Sequence, residues 1–385
     1  MLDAFAIGPG ILLWLAACAV LGAQAAAWWR GLSRLRRQAA VDKIVAETPD
    51  TWLLVAARDE AAALPGLAAA LAAQEGAPPP RLVLVDDGSV DGTAELARRI
   101  FAHLPGAQVL ERPARGKLPA LADGLERILA EAAEDDVVLF SDADCRPRAA
   151  WLASHAAAHG RGARLVCGHK VLDEGAEAHP AVRLRRFENA LSSLQCALGC
   201  ARGRPAFARG GNWSARAGDL GRCGGLAGLE SLSSGDDVHL VRRLLRTGAG
   251  RGARFLLEPG SRVDTRERLD RPALAHQARR RYGKLRELST AERLRQGTLF
   301  FALALQPLLL LGWLAMGSPW WIAPATTLAA LALATPRFLA RGLALLGEEE
   351  SAPRPLGLAL GLVWHALRHT ALGALRGYGW RERRA

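Results

Sequence analysis

No Gly-x-Gly-x-x-Gly follows the first strand-like run, which excludes the dinucleotide fingerprint of a dehydrogenase, and no glycine-rich phosphate loop is present. Phosphate held by this chain would need a metal ion and basic side chains instead of a glycine cradle. The six cysteines, at positions 18, 145, 167, 196, 200 and 223, form no Cys-x-x-Cys pair and show no metal-ligand spacing. In a domain facing the cytoplasm they are expected to be free thiols, without a disulfide framework. There is no internal repeat. The net charge of +12 comes without aromatic–basic interleaving or zinc spacing, so nucleic acid is not the expected partner. A basic surface lying against anionic membrane lipids explains the excess more simply.

Charge is also missing from residues 7–29, "IGPGILLWLAACAVLGAQAAAWW". That matches the roughly 20 residues needed to cross a bilayer. The basic stretch "RGLSRLRRQAA" follows it directly, which favours a cytoplasmic location for what comes next, and Trp28 and Trp29 suit a headgroup belt. A cleaved signal peptide would carry its basic residues before the apolar core. Residues 1–30 therefore read as an uncleaved anchor and 31–49 as a basic juxtamembrane linker. Uncharged runs at 297–317 and 319–336, joined at Gly317-Ser318-Pro319, predict a transmembrane hairpin over 297–336. The segment 355–380, interrupted by His365, Arg368 and His369, reads as a third membrane or interfacial helix with a basic tail. The expected setting is a multi-pass protein of the cell membrane.

Residues 50–290 read as a cytoplasmic domain. Apolar runs at 51–57, 81–87, 107–112 and 136–144 predict strands, and helical patterns lie between them at 58–74, 92–104 and 117–133. Continuous apolar strands alternating with helices indicate an α/β fold with a parallel sheet covered on both faces. Ligands bind such sheets beyond the carboxyl ends of the strands. Those ends are acidic here: Arg58-Asp59-Glu60, Asp86-Asp87, and Asp142 with Asp144. Carboxylates gathered this way repel one another unless a cation or a hydrogen-bonding ligand intervenes. A D-x-D taken alone is as well explained by a capped loop, and "DDGS" by a turn.

The motifs "VAARDEAAALPGLAAALAAQ", "VLVDDGSVDGT", "RGKLPALADG" and "FSDADCRP" resemble the opening of a family 2 glycosyltransferase of the GT-A fold. Later, "GGNWSAR" resembles that family's GxNxxxR segment, "SGDDVHL" its acidic motif and "QARRR" its QxxRW motif. The resemblance covers roughly residues 50–285 in the family's order. It implies a parallel or mixed sheet flanked by helices, a nucleotide-sugar donor, and a divalent cation, Mg²⁺ or Mn²⁺. Asp142 and Asp144 match the D-x-D pair that holds this metal, with Asp144 the direct ligand and Asp142 nearer the ribose. Glu60 and Asp87 match nucleoside contacts, Asp87 accepting from a uracil N–H, with its neighbour Asp86 an alternative. Lys117 matches a cation that meets the diphosphate.

The resemblance further places the catalytic base at Asp237, beside Asp236, although both also suit a helix N-terminus. Gln277 and Arg280 match a motif that closes over donor phosphates and acceptor, and Asn212 and Arg216 are expected on the acceptor side. The sequence departs from the pattern at Asp59, Ala122 and Arg281, where Asn, Asn and Trp are usual, and His239 replaces a third acidic residue. The helix expected at 182–199 places Leu184, Phe187, Leu191, Leu194 and Leu198 at core-packing spacing.

The chemistry fits these residue types independently of the resemblance. A nucleotide diphosphate leaving group concentrates negative charge that a carboxylate-held hard cation neutralises. An inverting transfer also needs a carboxylate to take the acceptor's proton. The expected activity is metal-dependent, inverting transfer from a nucleotide sugar, UDP-linked, to a lipid or lipid-linked acceptor. That is the reaction class of glycolipid or cell-envelope polysaccharide synthesis. A membrane-anchored nucleotidyltransferase and a non-catalytic scaffold are the alternatives. The former predicts no base like Asp237, the latter no nucleotide binding.

Overall fold

A computed structural model describes residues 2–41, 49–172, 180–229, 235–265 and 290–348. The chain opens with a 40-residue helix, α1 (Leu2–Val41). Four apolar runs then become parallel strands: β1 (Thr51–Ala57), β2 (Arg81–Asp87), β3 (Gln108–Arg112) and β4 (Val137–Asp142). Between them lie α2 (Leu64–Ala72), α3 (Thr93–Ile100) and α4 (Lys117–Leu129). The expected strand at 136–144 ends earlier, at Asp142, because Ala143 and Asp144 turn the chain into β5 (Cys145–Pro147). There follow α5 (Trp151–Gly160), β6 (Leu165–Gly168), β7 (Lys170–Leu172) and the long α6 (Pro180–Ala201). The domain continues through β8 (Trp213–Arg216), α7 (Ala217–Arg222), α8 (Asp236–Arg246), β9 (Ala253–Leu256) and β10 (Val263–Thr265).

Seven strands form the main sheet in the order β3-β2-β1-β4-β8-β6-β9, and β5-β10-β7 form a small second sheet. Strand β8 runs antiparallel to both neighbours, so the sheet is mixed. Alternate side chains of one strand enter opposite cores. Trp52, Leu54 and Ala56 face α4, α6 and α8, whereas Leu53, Val55 and Ala57 face α2, α3 and α5. Burial of both faces explains why these strands read as unbroken apolar runs. At the antiparallel seam Phe140 of β4 stacks on Trp213 of β8, centroids 4.0 Å apart.

Residues 31–41 are not a linker: α1 runs on through them. Leu32 and Leu35, one helical turn apart, are 2% and 0% exposed in the same core as α6. Gly31 lies against Leu198 of α6. The basic residues of this stretch alternate with the apolar contact face, which is why their composition looked like a linker. The expected hairpin is longer than 297–336. It comprises α9 (Thr290–Ala315) and α10 (Ile322–Leu346), which carries Pro336 inside it. Trp28 of α1 stacks on Phe338 of α10, centroids 5.4 Å apart. Two helical segments, Gly10–Gln38 and Pro319–Leu346, are long and apolar enough to cross a membrane. Large apolar side chains on these three helices and their connection stand exposed, among them Leu12, Leu15, Phe301, Leu308, Leu311 and Ile322. The segment 355–380 lies outside the described residues.

Candidate active site

The carboxyl end of β4 delivers Asp142 to the sheet edge, and the turn after it delivers Asp144. Both are half-buried, and Cys145 behind them is buried. One oxygen from each carboxylate and the Cys145 sulfur lie within 4.8 Å of one another. Gly211 packs on this point with φ +84°, and a Cβ there would sit 2.7 Å from Cys145 Sγ and 2.9 Å from Asp142 Oδ2. Only glycine admits both the backbone conformation and the approach. Burial, with Asp142 and Asp144 beside it, pushes the Cys145 thiol up to about 12, so it stays a neutral packing group.

Asp142 is held between two ammonium groups. Lys117 Nζ donates to Oδ1 at 2.7 Å and Lys170 Nζ to Oδ2 at 3.1 Å. Lys117 begins α4, directly after Gly116 at φ +113°, so its side chain leaves the helix at the sheet edge. The same Nζ lies 3.9 Å from Asp236 Oδ2 at the start of α8. Burial works against both charges. For Asp142 the two lysines outweigh it and hold the carboxyl well below the usual range. For Lys117 the carboxylates of Asp142 and Asp236 outweigh it and raise the ammonium above the ordinary lysine value.

Asp236 is 7% exposed. Asp237, next to it in the first turn of α8, is half-buried, and its carboxylate faces Gly210. Its backbone carbonyl accepts from the Ala208 N–H at 3.2 Å, which ties the start of α8 to the loop before β8.

The carboxylates at the end of β2 have a different job. Asp87 is fully buried and accepts from the backbone N–H groups of Arg115 (2.9 Å) and Gly116 (2.9 Å). Arg58 and Arg112 lie 3.7 and 3.8 Å from it. The Asp87 carboxylate, expected to meet uracil, faces inward here, toward the loop that presents Lys117. Asp86, 3% exposed, accepts from the Ser89 N–H at 3.0 Å and from the Ser89 hydroxyl, closing the turn after β2. Asp59, at φ +52°, stitches the same turn to β1, since its N–H donates to Ser89 Oγ and its carboxylate accepts from the Val90 N–H, both at 2.9 Å. Glu60 follows half-buried, its N–H donating to Thr93 Oγ1 at 2.9 Å.

Asn212 and Arg216, expected on the acceptor side, both have partners within the fold. Asn212 comes directly before β8. It is fully buried, accepting from Trp151 Nε1 at 2.9 Å and donating to the carbonyls of His169 (2.9 Å) and Ser261 (3.2 Å). Its Oδ1 also meets His155, which with Ser214 and His159 completes a polar network beneath the sheet. Arg216 pairs with Val137 at the opposite end of β4 from Asp142 and binds Asp135 and the His159 carbonyl. In α6, Phe187, Leu194 and Leu198 are buried, as core packing expects. Gln277 and Arg280 lie outside the described residues.

Lys170 escaped the sequence reading. It sits in a three-residue strand with no motif around it, and only the pairing of β7 with β10 brings it to the site. Its carbonyl accepts from Asn189 of α6 at 2.5 Å. Its neighbour His169 contacts Glu348 at the end of α10 at 3.1 Å, and Arg186 of α6 donates to the same carboxylate at 2.9 Å. The hairpin is thereby latched to the strand that carries Lys170.

Residues 52–204 match the family model described as glycosyl transferase family 2. Among curated proteins, none matches the chain. Among solved structures the chain is similar to mannosyltransferase PcManGT from Pyrobaculum calidifontis in complex with GDP-Man and Mn²⁺, at 21% identity and TM-score 0.45, covering 94% of this chain and 96% of that one. It is also similar to S. aureus TarS in complex with UDP-GlcNAc, at 14% identity and TM-score 0.42, over 86% and 93% of the two chains. A third similar structure is mannosyl-3-phosphoglycerate synthase from Rubrobacter xylanophilus, at 21% identity and TM-score 0.38, over 69% and 78%.

Proposed function

We propose that this chain, whose residues 52–204 match the family 2 glycosyl transferase model, acts as a member of that family and transfers a sugar with inversion from a UDP-linked donor to a lipid or lipid-linked acceptor. The observation carrying this reading is the convergence on Lys117, which reaches Asp142 at 2.7 Å and Asp236 at 3.9 Å. Three motifs far apart in the chain meet there at one sheet edge, where α/β sheets bind ligands. A leaving nucleoside diphosphate needs positive charge held in place before it departs. Lys117 and Lys170 supply it, because Asp142 holds both ammonium groups at the position where phosphate oxygens would arrive. By the resemblance of their motifs, Glu60 would contact the nucleoside, and Gln277 with Arg280 would serve the phosphates and acceptor.

The donor set also suits a hard divalent cation, Mg²⁺ or Mn²⁺. Asp144 would be its direct ligand, since both Asp142 oxygens already accept from lysines. Such an ion adds neutralising charge to the diphosphate when bound. Asp237 takes the proton of the acceptor hydroxyl as that oxygen attacks the anomeric carbon. Its place in the first turn of α8 holds the carboxylate near the positive end of the helix dipole. The exposed apolar faces of α1, α9 and α10 support a membrane anchor that keeps the domain beside a lipid acceptor.

Asp237→Asn tests the assignment of the base. Transfer to acceptor should fall below detection while metal-dependent UDP binding, measured by calorimetry, stays at the wild-type level. Retained transfer removes Asp237 from the base role, and absence of UDP binding in the wild type removes the donor class.

A further inference from the structure

Away from the sheet edge, three of the six cysteines come together. Cys196 and Cys200 lie one turn apart on α6, so both face the same way, and that face packs on β6, which carries Cys167. Their sulfurs all lie within 4.8 Å of one another. None is more than 1% exposed, and all three are free thiols. The sequence concealed this, because the ligand positions divide between a strand and a helix and only the packing of α6 on the sheet joins them.

Buried cysteines often serve only as small apolar side chains. Two features here go beyond packing. A metal bound by three thiolates through bonds of about 2.3 Å keeps its sulfurs about 3.8–4.0 Å apart, within roughly an ångström of their present separation. The surroundings are also not purely apolar. The Cys196 thiol donates to the Phe207 carbonyl at 3.3 Å, which places an oxygen donor beside the sulfurs.

We propose that Cys167, Cys196 and Cys200 form a site for one thiophilic d¹⁰ divalent metal ion of the Zn²⁺ class. Soft thiolate sets select such ions over the hard cations that carboxylates prefer. Binding releases three protons, one from each thiol, and involves no change of oxidation state. The site is separate from the D-x-D carboxylates, yet it touches the same scaffold. Phe207 precedes Ala208, whose N–H holds the Asp237 carbonyl, so an ion here would fix the loop beneath the start of α8.

The test uses the full chain, purified in detergent under reducing conditions and stripped with chelator, with Cd²⁺ as the probe. Native mass should show one Cd²⁺ per chain. Near-ultraviolet thiolate-to-metal absorption should rise to the same stoichiometry and be displaced by Zn²⁺. Cys167→Ser, Cys196→Ser and Cys200→Ser should each weaken binding by at least about tenfold, whereas Cys18→Ser and Cys223→Ser should not. Circular dichroism of each variant separates loss of the site from loss of the fold. Wild-type protein that takes up no stoichiometric Cd²⁺ overturns the proposal, even if every variant misfolds. Absorption that persists in a folded Cys196→Ser variant, or a disulfide among the three cysteines in place of metal, overturns it equally.

Discussion

Strand β2 ends on Asp86-Asp87 and strand β4 on Asp142-Ala143-Asp144, two acidic strand ends separated in the sheet only by β1. At β2 the carboxylates are turned inward. Asp87 is fully buried and bonded to backbone N–H groups, which cannot leave without unfolding the loop. At β4 the partners of Asp142 are two lysine side chains, each 18% exposed or less, which in the proposed reaction would turn to an incoming phosphate. The same residue type thus acts as a structural staple at one strand end and as a holder of exchangeable charge at the next. What separates them is the donor: fixed amides against flexible ammonium groups.

Substitutions at the two ends should have opposite signatures. Asp144→Asn should lower kcat/KM for transfer by about 10²–10³-fold, while the melting temperature stays within about a degree of wild type. A drop in stability comparable to the drop in rate would erase the distinction. Asp87→Asn should instead cost about 3 kcal/mol of stability, seen as a fall in melting temperature, because Arg58 and Arg112 lose a buried countercharge. An unchanged melting temperature would put Asp87 among the ligand contacts after all.

Acid should act on the fold through the network beneath the sheet. Burial lowers His155 to about 4 and His159 to about 3, whereas in the unfolded chain each titrates near the ordinary histidine value of about 6.5. Between these values the unfolded state binds more protons, so stability is full above the unfolded value and declines as pH falls toward the folded ones. Roughly 2 kcal/mol should be lost between pH 7 and 5.5, read from melting temperatures, and His155→Gln should flatten that slope. The smallest effect is expected at Lys170. Lys170→Met should raise the donor KM about tenfold with a smaller change in kcat, and Lys170→Arg should restore most of it. An unchanged donor KM in Lys170→Met would leave Lys117 as the diphosphate cation at this edge.

Much of the first half of the domain was legible because its signal is local. The runs 51–57 and 81–87 coincide with β1 and β2, since the middle of a strand buried on both faces is apolar without alternation. The D-x-D, the GK pair and "SGDD" were legible as motifs, and Asp142, Lys117 and Asp236 do meet. Roles were harder to read than positions. Asp87 and Asn212 match family positions, yet whether a carboxylate or amide faces inward depends on which loop folds over it. Lys170, the three-cysteine cluster and the α1 docking face carry no local pattern, because each depends on packing between separate elements: β7 in the second sheet, α6 on β6, and α1 on α6.

From its own composition and order, the chain determined a mixed α/β domain framed by apolar helices, with acidic groups at three strand ends. Apolar periodicity and strand-end polarity are consequences of burial that each segment records by itself. Only the tertiary structure decided which of those acids are staples and which hold cations, and that Lys170 joins Lys117 on Asp142. It alone drew Cys167 to Cys196 and Cys200 and latched Glu348 to His169. The physical reason is that charge pairing and ligand convergence depend on distances of a few ångströms between elements, which no segment records by itself.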